Sequence, residues 1–209
     1  MEAKKIYVAK RGFDLILSTL ILLITSPLII MVLVLIKLEQ IMRGRFSDPL
    51  FYGETRMSYG RRFTLYKFNI FKYEQILEAR ARGEFIHTKQ YEHNGGITPI
   101  GWVLKQIYMD EIPQFFNVLR GDLSIVGPRP VNLEVYATLQ QRDITDKDRV
   151  PGGITGYYQS QKENTSAGSD DLDQQYADFY HSHFGLQVVL FDLKIIAKTL
   201  KVIVRAKGI

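Results

Sequence analysis

Among the 209 residues there is no cysteine. Disulfides, thiol catalysis and cysteine-ligated zinc are therefore excluded, and the chain suits a reducing compartment. The usual nucleotide and acyl-transfer signatures are missing too: no Walker phosphate loop, no Gly-rich dinucleotide fingerprint and no Gly-x-Ser-x-Gly elbow. No internal repeat, low-complexity tract or clear linker divides the chain, and its length requires no more than one domain of ordinary size. Acidic residues are in the minority, with 22 Asp and Glu against 27 Lys and Arg and a net charge of +5. Such a balance favours an anionic partner: nucleic acid, phospholipid headgroups or a phosphorylated substrate. The basic stretches lack the aromatic interleaving or recognisable module of a nucleic-acid binder, which leaves lipid and phosphate.

Charge is also absent locally. From Leu15 to Ile36 no residue is ionisable and most are Leu, Ile, Val or Met. A straight helix of that length covers about 30 Å, the hydrocarbon thickness of a bilayer. A soluble core helix would alternate faces, and this one does not. The run is too long for a signal peptide and no small-residue cleavage site follows. Two features favour a helix that dips into the membrane and returns over one that crosses it. Pro27 has no amide to donate, so the Leu23 carbonyl loses its helical partner and a bend is expected, with Thr25 and Ser26 hydroxyls at hand. Both flanks are basic, with Lys4, Lys5, Lys10 and Arg11 before and Lys37, Arg43 and Arg45 after, which places both ends on the cytoplasmic side. Asp14, at the membrane edge, needs a partner, and Arg11 is the expected one.

After the membrane segment, Pro49, Gly53 and Gly60 punctuate two short strands around residues 50–52 and 63–66. A charged, solvated helix is expected over 72–83, a polar loop with His87 and His93 over 84–97, and helices near 100–108, 111–119 and 133–141. Arg120 suits a helix C-terminus and Gly121 a left-handed cap. The last helix, 186–206, carries Lys194, Lys198, Lys201 and Arg205 on one face and apolar residues elsewhere, so it reads as an interfacial amphipathic helix. The fold class is α+β and mostly helical: residues 1–40 form a re-entrant membrane hairpin, and residues 41–209 a compact cytoplasmic catalytic domain with a small β-hairpin.

Chemistry centres on Asp110-Glu111, followed by Pro113 and a short helix. As an N-cap, Asp110 would put both carboxylates at the positive end of that helix dipole. One ionised acid could then attack phosphorus while the other holds Mg²⁺. An ordinary acidic cap is the plainer reading. Gly127-Pro128-Arg129-Pro130 is more specific, since two prolines restrain the backbone on both sides of one guanidinium suited to phosphate. Arg56, Arg61, Arg62 and Lys67 add positive charge. Asp171-Leu172-Asp173 matches an Asp-x-Asp metal triplet, but its Ser/Gly/Asp-rich setting favours a helix-capping loop. His181 and His183 have no evident third metal ligand.

Together these residues resemble the bacterial sugar transferases, small monotopic phosphoglycosyl transferases. The resemblance runs through Lys10-Arg11-Gly12-Phe13-Asp14, Ser26-Pro27, Thr55-Arg56, Tyr66-Lys67-Phe68 and Met109-Asp110-Glu111-Ile112-Pro113-Gln114. It continues through Asn117 to Ser124, Gly127 to Pro130, Ile154-Thr155-Gly156 with Gln159, and Asp192-Leu193-Lys194 with Thr199. It implies a re-entrant helix kinked at Ser26-Pro27 and a monotopic enzyme on the cytoplasmic face of the bacterial inner membrane. The implied reaction moves a phosphosugar from a nucleotide sugar, a UDP-sugar in most members, to polyprenyl (undecaprenyl) phosphate, with release of UMP. By resemblance Asp110 is the nucleophile, Glu111 and Asp110 are the Mg²⁺ ligands, and Arg129 is a phosphate grip; Lys67 and Arg56, near the site, are further candidate phosphate binders. Gln159 and Asp178 are further substrate-binding candidates. Membrane lipids and downstream glycosyltransferases are the implied partners, and polysaccharide or exopolysaccharide synthesis the implied setting.

Departures from the family pattern fall at Asn69-Ile70-Phe71, Tyr108, Gly152-Gly153 and Lys162-Glu163-Asn164. They spare Asp110, Glu111 and Arg129 and bear on nucleotide and sugar recognition. Two other classes compete: an Asp-x-Asp glycosyltransferase, which needs a larger nucleotide-binding domain, and a catalytically altered membrane-anchored adaptor, against which the intact acids and arginine argue.

Overall fold

The computed structural model describes residues 7–82, 95–161 and 168–204. Lys4, Lys5, Gly83, His87, His93, Lys162-Glu163-Asn164 and Arg205 lie outside the described residues. The chain forms two compact units. The first comprises Met1–Ile21, Thr55–Leu65 and Phe115–Ile209, and the second Leu22–Glu54 and Tyr66–Gln114.

Helix α1 spans Val8–Met42, 35 residues, with Pro27 inside it. The helix assignment continues through Pro27. Ser26 Oγ donates to the Leu23 carbonyl at 2.8 Å, so the acceptor stranded by proline is satisfied locally. The helix has the length and composition to cross a membrane. Its burial pattern is inside-out. Lys10, Asp14 and Ser18 are buried, whereas Ile16, Leu23, Ile24 and Ile30 are each more than 60% exposed. The buried groups recur every four residues and so share one face.

Strands β1 (Phe51–Ser58) and β2 (Arg61–Phe68) pair as a hairpin. Both are longer than expected, and Gly53 lies within β1 instead of ending it. Tyr59 and Gly60, at φ 53° and 68°, make the two-residue turn, whose left-handed central residues match the strand twist.

In the second unit, Val32 and Ile36 of α1 pack with Tyr52, Phe68, Ile70, Phe71, Ile76 and Leu104. Helix α2 (Tyr73–Ala81) is not the solvated helix its charge implies: Ile76 and Ala79 are fully buried, and Glu74 pairs with Arg43 at 2.7 Å. Thr98 caps helix α3 (Pro99–Gln106) by accepting from the Gly101 amide, and Pro99 occupies its first turn.

The first unit gathers α4 (Gln114–Arg120), β3 (Ser124–Val126), α5 (Leu133–Gln141), α6 (Asp146–Arg149), β4 (Gly153–Thr155), α7 (Tyr157–Gln161), α8 (Ser169–Ser182) and α9 (Gly185–Val204). Strands β3 and β4 pair in parallel, Ser124 opposite Gly153 and Val126 opposite Thr155. Val118, Ile125, Val126, Tyr176, Tyr180, Val188 and Ile195 form the core around them. Gly121, at φ 86°, ends α4 in the left-handed region as expected. In α9, the buried residues Val188, Asp192, Ile195, Thr199 and Val202 form one seam, while Lys194, Lys198 and Lys201 are exposed beside Leu186, Leu190, Leu193 and Leu200.

Candidate active site

Asp110 and Glu111 lie in a single 3-10 turn, Met109–Glu111, between α3 and α4. The turn exists because Tyr108 adopts a left-handed conformation (φ 55°) immediately after α3, redirecting the chain before the acids. This is an uncommon backbone state for a bulky residue. Asp110 is not the N-cap of the following helix. Helix α4 begins only at Gln114, directly after Pro113, so the pair stands one turn outside it and the dipole argument weakens. Ile112 and Met109 anchor the turn in the second core.

Asp110 is 5% exposed. Glu111 is more open, and its Oε1 accepts from Lys67 Nζ at 2.8 Å, with the two side chains 22% and 21% exposed. Lys67 comes from the end of β2, so hairpin and turn together build the Glu111–Lys67 pair within the second unit, one residue after Asp110. Asn69, a departure from the family pattern, has a structural task. Its amide donates to the Pro49 carbonyl at 2.9 Å and its carbonyl accepts from Phe71 N at 3.2 Å, shaping the chain that leaves β2.

Arg56, Arg129, Gln159 and Asp178 belong to the first unit. Arg129 is exposed between buried Pro128 and Pro130. Its turn is held by backbone bonds, Gly127 N to Thr155 O at 2.9 Å and Gly153 N to Pro128 O at 2.9 Å. The turn tolerates no side chain at its glycines: a Cβ on Gly127 would meet Pro151 O at 2.2 Å, and one on Gly153 would meet Gly127 N at 2.1 Å. Gln159 is buried, and its Oε1 has no hydrogen-bond partner. A Cβ on Gly156 would stand 2.8 Å from that oxygen and 2.4 Å from Gly127 O, so the carboxamide sits beside the base of the Arg129 turn. Asp178 is exposed and pairs with Arg149 at 2.8 Å. Arg56 is half-buried on β1.

The sequence reading missed a buried polar network in the first unit. Lys10 Nζ lies 2.8 Å from both Asp14 Oδ1 and Asp192 Oδ2, and all three side chains are nearly inaccessible. Ser124 Oγ accepts from Lys10 and stands 2.8 Å from Asp14 Oδ2, while Ile125 N donates to Asp14 Oδ1 at 3.2 Å. The Tyr176 hydroxyl reaches Asp192 Oδ1 at 2.9 Å and the Val126 carbonyl at 3.0 Å, donating to one at a time. Asp14 is thus paired with Lys10, not with the expected Arg11. Arg11 instead donates to the Val118 and Leu119 carbonyls at 2.6 and 2.9 Å, satisfying the C-terminus of α4. Burial pushes the Asp192 carboxyl up to about 6, with Lys10 and the Tyr176 hydrogen bond opposing the rise and Asp14 adding to it. The signal was present in the sequence as Asp192, the one acidic residue of α9. A cavity of about 50 Å³ beside Lys10 and Ser124 has room for water, not for a nucleotide sugar.

Among the described residues no group of three His, Cys, Asp or Glu side chains could hold a metal. Asp171 accepts from Gly168 N at 3.2 Å, capping α8, and Asp173 is buried against Lys147, so the Asp-x-Asp triplet is structural. Asp110 and Glu111 remain as adjacent oxygen donors. Such a set fits Mg²⁺, which takes one or two carboxylates and completes its shell with substrate phosphates and water. The ammonium on Glu111 already marks a cation position there.

The bacterial sugar transferase family model matches residues 5–206, and the chain belongs to that family. It is 30% identical over 215 residues to the exopolysaccharide production protein ExoY of Rhizobium meliloti, covering 96% of this chain and 87% of that protein. It is 31% identical to the undecaprenyl-phosphate galactose phosphotransferase of Salmonella typhimurium, covering 95% of this chain and 41% of that protein. Against the UDP-N-acetylgalactosamine-undecaprenyl-phosphate N-acetylgalactosaminephosphotransferase of Aeromonas hydrophila, identity is 30%, with 95% of this chain and 44% of the relative covered. The chain therefore spans less than half of those two longer relatives.

Proposed function

We propose that this protein transfers a phosphosugar from a nucleoside diphosphate sugar, a UDP-sugar by preference, to a polyprenyl phosphate at the cytoplasmic face of the inner membrane. The observation that carries the reading is the buried Asp110 held beside the Glu111–Lys67 pair, in a chain whose relatives bear phosphotransferase names. An Asp110 carboxylate oxygen attacks the β-phosphorus. The bond from that phosphorus to the oxygen bridging it to the α-phosphate breaks, and the nucleoside monophosphate leaves with the electron pair. The phosphosugar is then carried on Asp110 as an acyl phosphate. A phosphate oxygen of the polyprenyl phosphate attacks the same phosphorus, releasing the Asp110 carboxylate and forming a polyprenyl diphosphate sugar.

Mg²⁺ bound by Glu111, with Asp110 adjacent, supplies charge neutralisation for the diphosphate. Arg129 grips phosphate oxygens with its planar fork, its proline-restrained turn limiting the entropy lost on binding. Burial keeps Asp110 poorly hydrated and withholds water from the acyl phosphate. The basic flanks of α1 favour the re-entrant topology, with both ends cytoplasmic.

The test uses the full chain in nanodiscs with Mg²⁺ and a panel of UDP-sugars, without lipid acceptor. One sugar should release UMP and add a phosphosugar mass that maps to Asp110. Asp110→Asn should lower turnover at least about a thousandfold. An unchanged protein mass combined with an active Asp110→Asn variant would sink the covalent mechanism.

A further inference from the structure

We propose that Lys67 is a built-in counter-cation that competes with the divalent metal for Glu111 and gives way only when a diphosphate arrives. The inference rests on the phosphoglycosyl transfer reading and adds to it how the metal is admitted.

The Lys67 ammonium sits 2.8 Å from Glu111 Oε1. A Mg²⁺ ion binds carboxylate oxygen at about 2.0–2.1 Å, so the two cations approach the same oxygen and repel one another. About a fifth of each side chain is exposed. A lysine stem has four rotatable carbons and a compact charge, so it can swing aside without disturbing the backbone. Asp110, by contrast, is buried next to Glu111, and the ion pair leaves the acid pair with less net negative charge in the metal-free protein. Among the described residues no third His, Cys, Asp or Glu joins these two adjacent carboxylates, so metal binding without nucleotide is weak from the outset. A bound diphosphate changes both sides of the competition. Its oxygens complete the metal shell, and its charge accepts the ammonium displaced from Glu111. Metal and substrate therefore bind cooperatively, with Lys67 as the coupling group.

The probe is Mn²⁺, titrated into the full chain in nanodiscs and read as free Mn²⁺ by electron paramagnetic resonance. Without nucleotide, Lys67→Met and Lys67→Gln should bind Mn²⁺ about tenfold more tightly than wild type, because one positive charge is gone. Lys67→Arg, which keeps the charge, should bind like wild type. Adding UDP should tighten Mn²⁺ binding by a larger factor in wild type than in Lys67→Met. A merely structural lysine would weaken the site on removal, so equal or weaker Mn²⁺ binding in both neutral variants overturns the proposal. Unchanged Mn²⁺ binding in Glu111→Gln also overturns it, because metal and lysine would then not share that oxygen. Absence of phosphosugar on wild-type Asp110 together with an active Asp110→Asn variant would instead defeat the covalent transfer reading, and the Mn²⁺ titration would still decide the competition.

Discussion

Asp192 shows how one residue couples the long apolar helix α1, the core and pH. It is a carboxylate with no accessible surface, sharing a single ammonium with Asp14. Two acids and one base leave the cluster one negative charge in excess, and burial raises Asp192 from 3.8 to about 6. Between those pH values the folded chain binds a proton that the unfolded chain has released. Stability therefore falls as pH rises through this window, and the cost is fully present above about 6. Replacing the group removes the dependence. As pH falls from 7 to 3, wild type should gain about 3 kcal/mol relative to Asp192→Asn, at about 1.4 kcal/mol per tenfold change in proton concentration across the window. Unfolding curves of both proteins in the same detergent at several pH values check this, and a constant difference would refute it. The need for an Asp14 partner was legible in the sequence, but the choice of Lys10 over Arg11 was not. Both are about one turn away, and the selection depends on α4 presenting carbonyls to Arg11 and on α9 presenting Asp192 to Lys10.

At the scale of elements, periodicity made α5 and α9 readable, because each has a regular apolar face. Helix α8 carried a similar signal in Leu172, Tyr176, Ala177 and Tyr180, but its acidic first turn and loop-like lead disguised it. The pairing of β3 with β4 left no local trace. Each strand has three residues, and the partners lie far apart in the chain, so only the packed core reveals the register. The proline-flanked arginine was legible as a rigid turn, whereas the glycines that seat it were not. Those glycines make a sharp prediction. Gly153→Ala places a methyl 2.1 Å from a backbone nitrogen, a clash that no rotamer relieves. It should cost about 3 kcal/mol. For a chain of this size that lowers the melting temperature by about 10 °C. Gly12→Ala, with nothing within 4 Å of the new Cβ, is the control and should hold or slightly raise stability. Similar melting temperatures for the two variants would show that the β3–β4 seat is not rigid.

At the scale of the whole molecule, α1 is the element with the length and composition to enter a bilayer. Lys10, Asp14 and Ser18 are buried while most of its large aliphatic residues are exposed, an arrangement that suits lipid surroundings. Helix continuity through Pro27 removes one ground for a hairpin, because Ser26 restores the lost acceptor and the helix need not open. The charge argument is independent of that. Lys10 and Arg11 near one end, and Lys37, Arg43 and Arg45 near the other, all favour the cytoplasmic face. Crossing would export one of these clusters. Returning to the same face requires a bend at Pro27, which lowers the cost of bending there by removing a hydrogen bond. Because the chain has no native cysteine, single substitutions report topology cleanly. Lys5→Cys and Arg45→Cys, labelled in intact cells with a membrane-impermeant maleimide, should both remain unreacted and react only after the membrane is opened. Protection of one site and labelling of the other in intact cells would establish a crossing helix. Pro27→Leu then separates charge from bend. If the bend is required, a straightened α1 exposes one of the two cysteines to the outside; if charge alone decides, both stay protected.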